Sequence, residues 1–176
     1  MTNGEIKIRY ANSSDNVLLA EFGGKAFYDS FAADNTPEDM AVYLATSFSP
    51  EVQAEELSDP SSVFLIAEVD NSIVGYARLH ESPPPAKVRG ARPIELVRIY
   101  AGKARIGKGI GSALLEACLR EADVRGCDTI WLGVWERNTR AQAFYRKWGF
   151  VEVGIQTFRL GEDLQTDLVM QKPVSK

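Results

Sequence analysis

A glycine-rich segment of the chain has residue types that suit the binding of phosphate groups. From Ile106 it reads IGKGIGS, so that Gly107, Gly109 and Gly111 alternate with other residues ahead of an apolar-periodic run. Glycine allows an anion to approach successive backbone N–H groups closely, and a helix N-terminus adds partial positive charge. The segment is therefore predicted to be a pyrophosphate-binding loop that leads into a helix.

Two well-known phosphate-binding patterns fit this segment poorly. The P-loop of nucleoside triphosphatases needs a hydroxyl residue after its lysine, and here Gly109 follows Lys108. The dinucleotide-binding fingerprint needs a third glycine where the chain has Ser112. A turn that only connects a strand to a helix would need one or two glycines, whereas here three glycines alternate with other residues. An anion site at a helix N-terminus remains as the interpretation.

The elements that must position this loop follow from hydrophobic periodicity and capping residues. A hairpin is predicted around Asp70 and Asn71, and residues 161–165 are predicted to join the last two strands. The order of elements predicts an α/β fold, a mixed central sheet flanked by helices in a single domain. In chain order we predict three helices, three strands, a helix, a strand, a helix and two strands, within residues 13–32, 35–48, 49–60, 62–70, 72–80, 94–101, 110–126, 129–135, 138–150, 151–160 and 166–174.

The length and charge of the chain argue against several functional classes. Its 176 residues suit one domain, and a formal net charge of −4 with a pI near 5.1 lacks the basic footprint of nucleic-acid-binding proteins. The first residues lack an apolar stretch of signal-peptide length, and no segment approaches the length of a membrane helix. We therefore expect a cytoplasmic protein without a nucleic-acid or membrane partner.

The cysteines and the histidine predict no metal site. Cys118 lies on the apolar side of a predicted helix, and Cys127 follows that helix without a second cysteine pair or a histidine cluster. His80 is the only histidine, which leaves a Ser-His-Asp triad a single candidate base, and the chain has no GxSxG elbow. Both cysteines are expected to be reduced structural thiols.

Two motifs together resemble the GNAT superfamily of acetyl-CoA-dependent N-acetyltransferases. The family's [QR]-x-x-G-x-[GA] loop matches IGKGIG except at its first position, where Ile106 replaces Gln or Arg. The family's second signature, an Asn before a helix that carries FY and ends in GF, matches RNTRAQAFYRKWGF, with Asn138 and Tyr145 in place. The resemblance implies the GNAT fold over residues 1–176, with a cofactor-binding core of about residues 94–150.

The resemblance also implies where acetyl-CoA binds. Family members open a gap between two strands and use backbone groups at its edge to bond pantetheine and polarise the thioester carbonyl. The implied cofactor-binding residues are Ile99, Tyr100, Ala101, Ile106, Gly107, Lys108, Gly109, Ile110, Gly111, Ser112, Asn138 and Lys147. Basic residues near both motifs favour a polyanionic cofactor, although a solvated basic face explains most of them singly: Lys103, Arg105, Lys108, Arg137, Arg140 and Lys147.

The resemblance implies two catalytic roles. Tyr145 matches the family's general acid, which protonates the departing thiolate, although Tyr145 and its aromatic neighbours could equally form a packing face. Glu95 stands eleven positions before Ile106, where the histone-acetyltransferase branch has its catalytic glutamate. A carboxylate in an apolar strand could relay the amine's proton, whereas a structural ion pair with Arg98 or a neighbour is the alternative.

The longer similarity is to the bacterial PaiA branch, acetyltransferases associated with spermidine and spermine. It implies a primary amine of a polyamine as the acceptor, and Asp34, Glu38 and Asp39 lie in the segment that covers the acceptor site in related folds. Two alternatives stay open: a GNAT enzyme for a protein N-terminus or another small amine, and a non-catalytic acyl-CoA-binding regulator. A homodimer is the expected assembly.

Overall fold

Seven strands form one mixed sheet in the computed structural model, which describes residues 4–175. They lie in the order β1-β2-β3-β4-β5-β7-β6, and within the described residues only β4 and β5 pair in parallel. This arrangement confirms the predicted mixed sheet. The strands are β1 Lys7–Tyr10, β2 Ser62–Val69, β3 Ser72–His80, β4 Pro93–Ala101, β5 Thr129–Trp135, β6 Val151–Leu160 and β7 Asp163–Pro173.

The helices begin where the sequence supplies caps. Thr36 accepts a hydrogen bond from the N–H of Asp39 at 3.1 Å, and Ser49 accepts one from the N–H of Val52 at 3.2 Å. A proline follows each of these caps at the first helical position, where its missing N–H costs no hydrogen bond. The helices of the described chain are α1 Asn16–Phe31, α2 Pro37–Ser47, α3 Pro50–Ser58, α4 Ile110–Val124 and α5 Thr139–Lys147.

The two hairpins differ in how well the sequence predicts them. Between β2 and β3, Asp70 and Asn71 both have positive φ, 51° and 61°, which confirms the tight turn predicted there. Between β6 and β7 the prediction of a loop over residues 161–165 is wrong, because β7 already begins at Asp163 and pairs with Leu160. Gly161, with φ 61°, closes the turn in two residues. The short strand β1 was not predicted, since four residues show too little alternation.

Helices cover both faces of the sheet. On one face α4 packs against the central strands, and the large core there includes Leu114, Cys118, Ile130 and Tyr145. On the other face α1, α2 and α3 cover an aromatic-rich core around residues such as Phe27. Both cysteines are buried, unpaired thiols, as expected. Within residues 4–175, no helix combines the length and apolarity that crossing a membrane requires.

The parallel pair β4–β5 is joined only at its beginning. Pro93, Ile94 and Glu95 pair with residues 129–131, and no pairing of the two strands is present beyond that point in the described chain. From there β5 continues along β7 instead, up to the pair of Trp135 with Asp167. The second half of β4 therefore faces a gap in the sheet, and this gap positions the candidate site.

Candidate functional site

A cleft of about 750 Å³ opens where β4 and β5 separate. Its walls come from both faces of the sheet: the end of α1 on one side, and the beginnings of α4 and α5 on the other. The lining residues are Ala26, Asp29, Ser30, Phe31, Asp34, Ile99, Tyr100, Ala101, Lys103, Arg105, Ile106, Gly107, Gly109, Gly111, Ser112, Trp135, Arg137, Asn138, Arg140, Ala141, Phe144 and Tyr145.

The glycine loop ends at the N-terminus of α4 with free backbone donors. Gly107 and Gly109 have φ values of 79° and 85°, a left-handed conformation that side chains disfavour, and open space lies where a Cβ would stand. The first backbone bond of α4 runs from the N–H of Ala113 to the carbonyl of Gly109, at 3.0 Å. The N–H groups of residues 109–112 thus have no described partner, which is the arrangement that binds anions.

The free edge of β4 supplies a second set of backbone groups. Gly102 donates its N–H to the carbonyl of Val74 on β3 at 2.9 Å, and Tyr100 pairs with Tyr76. Because backbone groups alternate in direction along an antiparallel strand, those of Ile99 and the residue two positions on, Ala101, point away from β3. They face the gap towards β5, where they can hydrogen-bond an extended ligand.

Four cations surround the cleft: Lys103, Arg105, Arg137 and Arg140. None of the four forms an ion pair with a carboxylate of the described residues, so their charge is available to an anion. Two carboxylates, Asp29 and Asp34, also line the cleft, and Asp29 is paired with Lys25 at 2.6 Å. On a chain with a net charge of −4, this cationic excess is local.

Most of the predicted cofactor-binding residues line the cleft, and three do not. Ile110 begins α4, but its side chain is only 2% exposed and belongs to the core, so only its N–H is offered. Lys108 and Lys147 are exposed and lie outside the cleft wall. Ile106 lines the cleft and is 39% exposed, so the family's missing polar side chain is not replaced by core packing.

Tyr145 reaches the cleft from α5. Its side chain is 8% exposed, packs beside Phe144 and Phe150, and lines the cleft. Burial, with a smaller contribution from the Cys118 thiol, raises the pKa of this phenol above its usual value. Tyr145 therefore stays protonated at neutral pH and can act as a proton donor. The alternative of an aromatic packing face is present, and the role of Tyr145 as an acid stays a prediction.

Asn138 has a structural role that the motif alone does not reveal. Its side-chain oxygen accepts the N–H of Ala141 at 3.2 Å and thereby caps α5. Gln142, one turn along, donates to the carbonyls of Trp135 and Glu136 at 3.1 and 2.9 Å. These bonds fix the start of α5 against the end of β5 and so set the position of Tyr145.

Glu95 does not line the cleft. It lies in the paired part of β4, opposite His80 on β3 and Trp131 on β5. The alternative of an ion pair with Arg98 is wrong, because Arg98 forms a two-pronged pair with Glu56 of α3 at 2.7 and 3.0 Å. The proposed role of Glu95 as a base stays a prediction.

The single histidine lies at the end of β3, away from the cleft. Its Nδ1 is 2.6 Å from the hydroxyl of Ser82, and its Nε2 is 3.0 Å from a carboxylate oxygen of Asp59. The three side chains resemble a hydrolytic triad in their order, but none of them lines the cleft. They hold the start of the Pro-rich loop in place.

Sequence reasoning missed the residues of the α1 side of the cleft. Trp135 packs edge-on against Phe31 of α1, with ring centroids 6.0 Å apart, and lies beneath the guanidinium of Arg137. Next to Trp135 on β7, the carboxyl of Asp167 is buried, which raises its pKa to about 6, against the lowering effect of a hydrogen bond from Gln156. No motif connects these residues, since they come from four separate elements.

The arrangement suits an elongated anionic ligand that carries a reactive group at its end. The cleft combines free N–H groups and cations with a strand edge and Tyr145. Within residues 4–175, no group of three or more His, Cys, Asp or Glu side chains is placed to hold a metal ion.

Known proteins resemble this chain in sequence and in fold. A model described as the acetyltransferase (GNAT) family matches residues 25–150. An uncharacterized N-acetyltransferase from the pepI 3′ region of Lactobacillus delbrueckii subsp. lactis is 30% identical over 167 residues, 95% of this chain and 96% of the relative. An uncharacterized N-acetyltransferase of Mycobacterium bovis is 39% identical over 135 residues, 76% of this chain and 81% of the relative.

Among solved structures, the PaiA N-acetyltransferase of Thermoplasma acidophilum in complex with coenzyme A is similar, with a TM-score of 0.76. The match covers 96% of this chain and 99% of that one at 23% sequence identity. At this level of identity the likeness concerns the fold, which agrees with the mixed sheet and its gap between β4 and β5.

Proposed function

The chain belongs to the GNAT family of acetyltransferases and is an N-acetyltransferase that uses acetyl-CoA, and we propose that its acceptor is a primary amine of a polyamine such as spermidine or spermine. One observation carries the mechanism. The cleft brings the free N–H groups of α4, the unpaired edge of β4 and the hydroxyl of Tyr145 into a single space. Transfer of an acyl group to an amine needs a binding site for the cofactor, an oriented thioester and a proton donor.

The residues of the cleft fit acetyl-CoA from one end to the other. The N–H groups of residues 109–112 would bind its pyrophosphate, aided by the cations at the cleft rim. The backbone groups of Ile99 and Ala101 would hold the pantetheine arm by strand-like hydrogen bonds and polarise the thioester carbonyl. Acetyl-CoA supplies an activated acetyl group, which a neutral amine attacks directly.

Tyr145 donates a proton to the departing thiolate. Its raised pKa keeps the phenol protonated, and no hydrogen bond to a described residue occupies its hydroxyl. The capping bond of Asn138 and the two bonds of Gln142 hold α5 where this hydroxyl faces the cleft. The phenolate regains its proton from solvent after the thiol leaves.

The acceptor side of the cleft is acidic, which supports a polycationic amine. Asp34 lines the cleft and also lines a second, more open cavity of about 590 Å³. That cavity lies between the end of α1 and the β6–β7 turn, and three more carboxylates face it, from Asp39, Glu162 and Asp163. An amine that reacts in the cleft could therefore place its remaining ammonium groups against carboxylates. Of the predicted acidic residues, Glu38 lines neither cavity.

The test is release of CoA thiol with a panel of amines: spermidine, spermine, propylamine, an aminoglycoside and a peptide with a free N-terminus. We expect turnover of the two polyamines with a KM that rises with salt, because exposed charge pairs are screened. Asp34→Asn should raise the KM for spermidine several-fold more than it lowers kcat, while Asp123→Asn, the same change on the far end of α4, should leave KM unchanged.

Three outcomes would revise this proposal. Turnover of the peptide or the aminoglycoside without the polyamines would replace the acceptor and keep the reaction. Equal KM values for Asp34→Asn and wild type would show that Asp34 does not bind the amine. Binding of acetyl-CoA with no turnover of any amine would favour a regulator that senses the cofactor, the alternative in which Tyr145 serves only the core.

A further inference from the structure

The described chain buries three carboxylates, and one of them differs from the other two. Asp15 is paired with Arg9 at 2.9 Å, and Glu121 is paired with Arg125 at 3.1 Å. Asp167 is 7% exposed and has no cation within 4.0 Å among the described residues. Burial of an unpaired carboxylate costs free energy that a neutral residue would not cost, so its presence calls for a chemical reason.

Asp167 lies on the acceptor side of the sheet. It is the cross-strand partner of Trp135 on β5 and of Gln156 on β6, and cross-strand partners point to the same face. Their neighbours Val134 and Leu168 point to the other face, into the core beneath α4. The carboxylate therefore faces α2, where burial, with a smaller contribution from the charge of Asp167, raises the pKa of Tyr43.

The sheet leaves room at Gly133 for the side chains of Gln156 and Asp167. A Cβ at Gly133 would clash with Nε2 of Gln156 and would stand 3.0 Å from Oδ2 of Asp167. Gly133 precedes Trp135 by two residues on β5, so both face the same side, and Trp135 forms part of the cleft wall. Asp167 itself lines neither cavity and lies one strand away from Trp135 on the same face of the sheet.

Acid and carboxylate lie on opposite faces of the sheet, and β5 separates Asp167 from the gap. Tyr145 packs in the core beneath α4, while Asp167 lies under α2. In a direct attack the nucleophile and the departing sulfur occupy different sides of the carbonyl carbon, so a proton donor and a proton acceptor are needed on different sides. This geometry matches that need.

We propose that Asp167 is the proton acceptor of the reaction, which takes up the proton that the amine loses on the α2 side of the gap. The proposal rests on the acetyl transfer proposed above. The ammonium form of the amine gives one proton to the carboxylate, with water as the carrier because Asp167 lines neither cavity. The neutral nitrogen then bonds to the thioester carbon and loses its second proton to water as the C–S bond breaks and Tyr145 protonates the sulfur. The products are the amide and the CoA thiol; the phenolate takes back one proton from water, and Asp167 releases its proton, so that one proton is released to solvent in total.

The surroundings of Asp167 set the pH at which it works. Gln156 from β6 bonds the carboxylate and lowers its pKa, burial raises the pKa more, and the balance lies at about 6. From α2 the titratable neighbour is Tyr43, on which Arg98 and Glu56 also act. On the side of Trp135 lies Arg137, whose guanidinium carbon is 5.7 Å from the centre of the ring. A base with this pKa is ionised at neutral pH and still accepts a proton.

Asp167→Asn tests the proposal through the pH dependence of kcat/KM for spermidine. The wild-type profile should rise to a plateau above about pH 6, because ionised Asp167 and protonated amine react together. In Asp167→Asn we expect kcat/KM to fall by about 100-fold at pH 7.5, and to rise tenfold per pH unit until the amine itself loses its proton. CoA affinity by calorimetry should not change, and the melting temperature should hold or rise, since an unpaired buried charge is removed.

Two comparison variants separate this role from others. Glu121→Gln changes a buried carboxylate that has an arginine partner, so it should lower the melting temperature and keep the wild-type plateau. Glu95→Gln tests the other candidate base. A plateau that survives in Asp167→Asn and is lost in Glu95→Gln would overturn the proposal and identify Glu95 as the base.

Two further measurements do not depend on how Asp167→Asn folds. Carbon-13 NMR of the free protein should show the Asp167 carboxyl titrating at about pH 6. Gln156→Leu removes the bond that lowers this pKa, so the titration and the acidic limb of kcat/KM should both move to higher pH. A carboxyl that titrates at the usual value, or a limb that does not follow it, would overturn the proposal. Wild-type protein that acetylates no amine would instead contradict the proposed function.

Discussion

The two sides of the cleft recognise their ligands by different means. On the side of α4 and α5 the groups that are open to a ligand are mostly backbone: the N–H groups of residues 109–112 and the free edge of β4. On the side of α1 and α2 they are side chains, among them Asp34, Trp135 and Asp167. A backbone site constrains the sequence only where the conformation demands glycine, whereas a side-chain site can change with each residue. Substitutions at only a few positions should therefore abolish cofactor binding, whereas substitutions at many positions should change the choice of acceptor.

The largest effect that this comparison predicts is at Gly109. Gly109→Asp places a side chain and a negative charge where the pyrophosphate binds, and should weaken CoA binding by at least about 100-fold in calorimetry. Gly126→Asp is the matched control, because Gly126 lies just beyond the other end of α4 with φ 75°, close to the 85° of Gly109. Both variants incur similar backbone strain, so equal losses of CoA affinity would show that strain, not the anion site, is responsible.

The next effect is at Tyr145, the one side chain on the backbone side to which we give a chemical role. Tyr145→Phe deletes the proton donor and keeps the ring, and should lower kcat by roughly 100-fold with little change in KM. Tyr76 is a matched phenol: it is buried, and burial also raises its pKa. Tyr76→Phe should keep kcat. A normal kcat and a lower melting temperature for Tyr145→Phe would show that Tyr145 serves only core packing.

The smallest effect is at Ile106, where the chain departs from the family's loop. Because Ile106 lines the cleft and is 39% exposed, Ile106→Gln should add one hydrogen bond to the cofactor and tighten acetyl-CoA binding by about 0.5–1.5 kcal/mol. Ile106→Leu should leave the affinity unchanged. Weaker binding in Ile106→Gln would mean that the apolar side chain itself contacts the cofactor.

Sequence reasoning was successful where the signal is contiguous. The glycine loop, the helix that it begins and the Asn138 cap of α5 all lie within about 45 residues, and each follows from local chemistry. The hairpin at Asp70 and Asn71 follows in the same way, because both residues tolerate positive φ. The β6–β7 turn was predicted to be longer than it is. The polar residues after Gly161 resemble a loop in sequence, although Gly161 allows the turn to close within two residues.

The placement of Glu95 shows a limit of counting along a strand. Strict alternation would put Glu95 on the same face of β4 as Ile99 and Ala101. The register between β3 and β4 shifts near Val97, so that Ile94 and Leu96 share the α4 face with Ile99 and Ala101, and Glu95 faces the other way. A bulge depends on the partner strand, which the sequence of β4 does not contain.

The acceptor side could not be assembled from the sequence for a different reason. Trp135, Asp167 and Tyr43 are far apart in the chain and meet only because β5 leaves β4 to pair with β7. Nothing in the sequence of β7 marks Asp167 as buried, since an acidic residue in an edge-proximal strand is usually solvated. The pairing of the strands, rather than any motif, creates this side of the site.

The short junction between β4 and β5 also has a mechanical consequence. Three residue pairs join strands β1–β4 to strands β5–β7, so the sheet consists of two smaller sheets held by a narrow seam and by α4. A cofactor that bonds the edge of β4 and the N-terminus of α4 acts as a staple across this seam, and at 100 times its Kd it adds about 2.7 kcal/mol of apparent stability. The amide hydrogens of Ile99 and Ala101 should exchange rapidly with deuterium in the free protein and slowly once acetyl-CoA is bound.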